Sequence, residues 1–352
     1  MLTSRSLAAI VIASAFLAGC SGSLTAAVVH PVSGSGTAMQ TLSYGSPFQY
    51  FAGPTENYAH QMAAGPDGNV WFRDTLGGKI GYITPTGSVT EFSLPPSNAV
   101  ASGISAGADG NVWYTDGATS SIGRVTMTGT VTTFAVPSGA QPLDIASGAD
   151  GNLWFTARAP STGQWFVGRS TTGGAMTLFR VPDSNASLSG ITLAIDGNIW
   201  FANAGSASIG RITPSGTITE FKTPSGIAPN GITPASDGAL YSAIRGGSGG
   251  LLRTNMHGVM SEFVDPNNPH PFVVISEGPG HCVWGNRLCD DGIGQCFDLF
   301  NVRRQGFTEH RFPSAVAQLN GLVAGPDGNM WYQFTATAHS VSSGLGLYHP
   351  YI

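Results

Sequence analysis

Gly65-Pro-Asp-Gly-Asn-Val-Trp-Phe72 is written seven times in this 352-residue chain, with small changes of spelling. Close copies run from Gly107 to Tyr114, Gly148 to Phe155, Ala194 to Phe201 and Gly325 to Tyr332; weaker ones run from Ala235 to Ser242 and Gly278 to Gly285. The aromatic anchors Trp71, Trp113, Trp154, Trp200, Tyr241, Trp284 and Trp331 lie 42, 41, 46, 41, 43 and 47 residues apart. A period in the low forties marks a ring of four-stranded blades. The chain therefore reads as all-β, a seven-bladed β-propeller.

The fourth repeat shows how one blade is built. Gly190–Ala194 is the inner strand, and Asp196-Gly-Asn198 is a hairpin turn, because Gly and Asn accept positive φ. Ile199–Asn203, Ile209–Thr213 and Thr217–Lys222 supply the other three strands. The recurring Asp-Gly-Asn has two readings, calcium ligation or turn geometry. Turn geometry explains why every blade needs a copy. The last repeat stops after Gly344–Pro350, where a third strand is expected, and has no outer strand. Phe48–Pro54 resembles an outer strand with nothing before it, so the N-terminal segment is expected to complete the last blade and remove two exposed edges. The propeller spans 41–352.

Composition fits a chain of turns: 49 Gly, 22 Pro, and 10% charged residues, with Lys79 and Lys222 the only lysines. A net charge of −5 offers no basic surface, so nucleic acid is excluded as a partner. Residues 1–19 read as a lipoprotein signal peptide, with Arg5 ahead of the short apolar run Leu7–Leu17. Leu17-Ala-Gly-Cys20 is similar to a lipobox, which makes Cys20 the lipidated residue and places the protein in the cell envelope; an ordinary cleaved secretory signal is the alternative. Residues 20–40, rich in Ser, Gly and Ala, read as a flexible tether. Export brings an oxidising compartment, and Cys289 and Cys296 flank an insertion between two antiparallel strands, so these two are expected to form a disulfide. A metal site of the cysteines with His281 is the other reading, although no CxxC spacing supports it.

Ile209-Gly-Arg-Ile-Thr-Pro-Ser-Gly-Thr-Ile-Thr-Glu-Phe221, together with the repeated phrase, resembles the virginiamycin B lyase (streptogramin B lyase) family of seven-bladed propellers. The resemblance implies a histidine base that starts an elimination and nearby carboxylates that hold magnesium to stabilise the developing charge. In that family the histidine stands eleven residues before the last anchor, one glutamate two before it and another three after the anchor. Those positions here are Asn320, Gln318 and Phe334, which supply neither a base nor a charged metal ligand.

Inner-strand starts and second-strand ends share one rim, so these two positions of every blade should ring one mouth of the channel. His60 and Asp74 occupy them in the first blade and are the candidate catalytic pair. Asp74 and Asp116 are the candidate metal ligands. Ser102, Asp116, Ser189, Asn203, Asn230, Arg287 and Asn320 are the candidate ligand-binding residues, interrupted by the apolar Leu143, Ala157, Ile244, Val273 and Phe334. Arg124 and Arg211 read as donors between blades. The functional expectation is a monomeric, lipid-anchored propeller that binds a small molecule, glycan or envelope protein. Two alternatives stay open: a magnesium-dependent lyase or lactone- or ester-opening enzyme with a displaced site in the first blade, and an envelope scaffold.

Overall fold

A computed structural model describes residues 48–52, 61–74, 78–95, 101–246, 249–289, 295–312, 316–336 and 344–350. Cys20, the tether and His60 lie outside these residues. Seven antiparallel four-stranded sheets follow one another, six of them built from consecutive strands. The seventh closes the ring: Phe48–Ala52 pairs with Gly344–Tyr348, beside Met330–Ala336 and Val316–Ala324. Phe51 stacks on Trp331 at 5.5 Å, as Phe134 stacks on Trp113 at 5.6 Å, so the N-terminal strand repeats the aromatic contact of an ordinary outer strand. Among the described residues no helix is long and apolar enough to cross a membrane.

The repeated phrase is a latch. In blade two the carboxylate of Asp109 accepts the amide of Asn111 at 3.2 Å and the indole N–H of Trp113 at 3.0 Å. Asp67, Asp150, Asp196 and Asp327 repeat the indole bond at 3.1–3.2 Å. The indole is thereby satisfied while its ring is removed from water; all six tryptophans of the phrase are at most 1% exposed. Gly107 is required because a Cβ there would sit 2.5 Å from the indole. Blade five keeps the latch with other atoms, the Tyr241 hydroxyl donating to Asp237 at 3.2 Å. In blade six, which lacks the Asp, Trp284 donates to the Pro279 carbonyl. Turn and anchor are therefore one unit, and its carboxylates are occupied by protein donors rather than arranged for calcium.

The Gly-Arg of the third strand, preceded by Ile or Val, stitches neighbouring blades together. Arg124, Arg169 and Arg211 each lie 5.6–5.9 Å over the Trp and Phe rings of their own blade. Each then donates to a turn carbonyl of the next blade: Thr172, Pro214 and Met256. Such cation–π contacts are worth about 0.5–2 kcal/mol each, depending on exposure. The hydrophobic clusters also lie between blades, as where Trp113 and Ile122 meet Ile145 and Phe155.

Candidate functional site

The inner strands define the channel, and a bulge decides what points into it. In blades two to five the register of the inner strand shifts, between Pro142 and Ile145 in blade three for example. The residue ten before the anchor is Gly103, Gly190 and Gly231 in blades two, four and five. Backbones approach so closely there that a Cβ on Gly190 would lie 2.9 Å from the Gly231 Cα. Blade three carries Asp144 at this position.

Asp144 is the main site residue that sequence reasoning missed. Its Oδ1 accepts from Gln61 Nε2 at 3.0 Å and the Ile145 amide at 2.9 Å; Oδ2 accepts the Ile191 amide at 3.2 Å. Gln61 Oε1 accepts the Ile104 amide at 3.2 Å. One carboxylate and one carboxamide thus tie together the inner strands of blades one to four. Burial raises the Asp144 pKa, against the lowering pull of those hydrogen bonds and of Arg73. Burial likewise lowers the Arg73 guanidinium to about 10, with Asp144 opposing. The expected ring was counted eleven residues before each anchor, where blade three has Leu143. In blade three the next residue, Asp144, lines the channel, whereas Ser189 and Asn230 line it from the counted position in blades four and five. A Gly at the position of Asp144 in neighbouring repeats was the available signal.

A channel cavity of about 290 Å³ follows from this ring. Its polar wall is Gln61, Asp144, Ser189 and Asn230; Met62, Ile104, Val273, Ile275 and Leu322 make the apolar wall. Ser189 Oγ also donates to the Pro229 carbonyl at 3.2 Å. Ser102 lies outside this cavity and lines a second one on the same rim.

The second-strand ends play a different part from the ligand ring expected of them. Asp116 Oδ1 accepts the amides of Ala118 and Thr119 at 3.0 and 3.1 Å, closing its own hairpin. Asn203 accepts the Ser187 amide at 2.9 Å and donates to Glu220 at 2.7 Å. Arg287 is 0% exposed. It grips Asp298 through Nε and Nη2 at 2.8 and 2.9 Å, Asp265 at 2.6 Å and the Asn268 carbonyl at 2.7 Å. The Phe272 and Phe307 rings lie 4.7 and 5.4 Å from it. Side chains here lie under the loops they fasten, so Asp116, Asn203 and Arg287 are anchors of the rim and Arg287 offers no donor to a ligand. Asp74 and Asn320 are buried as well, at 1% and 4% exposure.

Metal chemistry finds no frame at the family positions. Phe334 is buried in the core between blades six and seven, with Phe48 and Tyr332, so a hydrocarbon side chain stands where the resemblance implies a carboxylate. The residues do not fit a magnesium ion there. Among the described residues one group, Cys289, Cys296 and Glu309, brings three ligand atoms of the metal-binding types together. Its two sulfurs are joined in a disulfide, which removes the thiolates a metal would need and disposes of a cysteine site with His281.

These features define a seven-bladed propeller with a closed ring and a narrow, half-polar channel. The chain belongs to the virginiamycin B lyase family, whose sequence profile matches residues 38–254. That match ends in blade five, so the last blade, where the resemblance places the lyase residues, lies beyond it. Virginiamycin B lyase from Staphylococcus aureus superposes with a TM-score of 0.73 at 27% identity, over 85% of this chain and 98% of that one. A catalytically inactive histidine-to-alanine variant of the same enzyme with quinupristin gives 0.74 at 26% identity, over the same shares. A streptogramin B lyase structure gives 0.72 at 24% identity over 85% and 96%, a likeness of fold. Comparison with curated proteins finds no match.

Proposed function

We propose that this protein is an exported propeller, lipid-anchored through Cys20, that binds a small amphipathic molecule at its channel mouth without catalysing the family's elimination. The observation that carries the reading is the divided channel wall, with Gln61, Asp144, Ser189 and Asn230 facing Val273, Ile275 and Leu322. Such a wall orients a ligand having one polar and one apolar side. Asn320, Gln318 and Phe334 in place of a base and two carboxylates argue against turnover.

A thermal-shift screen of sugars and cyclic depsipeptides tests the proposal, because a ligand of the folded state raises its apparent stability. Purified protein is compared with Asn230→Phe, which fills the mouth. Ligands that raise the melting temperature of the first and not the second support binding there. Ligands indifferent to the substitution, or ring-opening of a depsipeptide that Asn320→Ala abolishes, overturn it. For the anchor, labelled palmitate should enter the wild type and not Cys20→Ala; equal labelling would remove that part of the proposal.

A further inference from the structure

Trp154 and Trp200 are 46 residues apart, against 41 for the pairs on either side, and most of the surplus lies in two loops on one rim. The loop after the second strand of blade three runs through residues 159–164, where blades two and four have 117–120 and 204–207. The loop leading into blade four runs through 181–187, where the neighbouring blades have 136–140 and 223–227. Between these loops and blade two opens a cavity of about 800 Å³, within the usual range for small-molecule sites. It shares no lining residue with the channel cavity.

Its chemistry is lopsided. Arg158, exposed at the end of the second strand of blade three, is the one charged residue among the described residues of the lining. Among the described residues its guanidinium makes no hydrogen bond and no ion pair. Other arginines of the same blade are occupied: Arg169 donates to Pro214, and Arg180 donates to Gln164 at 2.6 Å. The nearby Asp183 is already paired with Lys222 at 3.2 Å. Lining the cavity with Arg158 are Trp165, its cross-strand neighbour, which keeps 8% of its surface exposed, and Leu143, which is 37% exposed. Ser102 and Gln141 add neutral polar groups. A free planar fork of donors selects a carboxylate, which it can hold by two parallel bonds. A single cation matches a monoanion, whereas a phosphate would call for several. Leu143 and Trp165 supply an apolar wall for the rest of the molecule.

We propose that this cavity is a second binding site, for a small monocarboxylate with an apolar or aromatic body, its carboxylate paired with Arg158. It is independent of what the channel binds. Calorimetric titration of the purified protein with 2-naphthoate, and with uncharged 2-naphthamide, tests the site. The carboxylate should bind, at least tenfold tighter than the amide, and more weakly as salt is raised. Arg158→Ala should lose at least tenfold and Arg158→Lys less; Leu143→Asp, which adds a like charge beside the ligand, should also weaken binding. Asn230→Phe should leave it unchanged, which separates this site from the channel. No detectable binding of naphthoate at about 1 mM, equal binding of acid and amide, or an Arg158→Ala affinity equal to wild type would each overturn the proposal.

Discussion

Replacing Arg287 with Met should be among the most damaging single changes in the protein, although it touches neither cavity. The substitution keeps the aliphatic stem between Phe272 and Phe307 but removes the guanidinium. Asp298, whose side chain is 0% exposed, then loses both of its bonds to Arg287, and Asp265 loses the partner at 2.6 Å. Breaking one side of a buried ion pair costs about 3–5 kcal/mol, because the remaining charge cannot regain its water. At an unfolding entropy of about 2 cal/mol/K per residue, a propeller of this size loses about 1.5 °C per kcal/mol, so its melting temperature should fall by about 5–8 °C. Calorimetry and guanidinium unfolding followed by tryptophan fluorescence measure the loss. Adding Asp298→Leu to Arg287→Met should recover much of it, since the more deeply buried of the two stranded charges is gone. A single variant within about 1 kcal/mol of wild type, or a double variant additive with two independent losses, would refute the desolvation argument.

Other outcomes follow from the same contacts. Replacing both Cys289 and Cys296 with Ser opens a loop closed over a sequence separation of 7 residues and should cost about 2 kcal/mol, read from denaturant midpoints. Gly123→Ala places a methyl group against the Tyr114 ring and should cost about 1–3 kcal/mol by overpacking, with no effect on naphthoate binding. Burial lowers the His310 pKa below its usual value of about 6.5, and its Nδ1 meets the Tyr348 hydroxyl at 3.2 Å across the last seam. A half-buried His kept neutral loses stability as pH falls, because the unfolded chain takes up the proton first. Melting temperature should therefore decline from pH 7.5 to pH 5.5, more in the wild type than in His310→Gln; equal slopes would exclude His310 as the cause. Asp109 and Asp150 have lowered pKa values: burial opposes the shift, but hydrogen bonds from the turn Asn and the indole outweigh it. Their stabilisation is present above about pH 4 and disappears as pH falls through the lowered values, so Asp109→Ala should narrow the acid limb of a stability profile.

The ring, the number of blades and its closure were legible in the chain because they rest on local codes. Each turn needs Gly and Asn, each second strand needs a large ring, and these needs recur at a fixed period. Arg124 and Arg211 were legible as inter-blade donors for the same reason. The channel was less so. Counting from the anchor predicts Leu143 at the mouth, but the bulged inner strand presents Asp144, and a one-residue bulge has no signature in a single repeat. Arg287 looked like a ligand group by position, yet its surroundings, Asp265 and Asp298 with Phe272 and Phe307, come from stretches of blades five and six separated in sequence and make it an anchor.

Sequence by itself determined the propeller, its family resemblance and that Gln318, Asn320 and Phe334 stand at the positions where the resemblance implies a base and two carboxylates, since backbone turns and residue identities are local facts. Tertiary structure decided what faces the channel and that Arg158 stands, among the described residues, unpartnered at a cavity. Those outcomes depend on how close neighbouring blades approach and which carboxylates reach which cations, and period and spacing do not encode either.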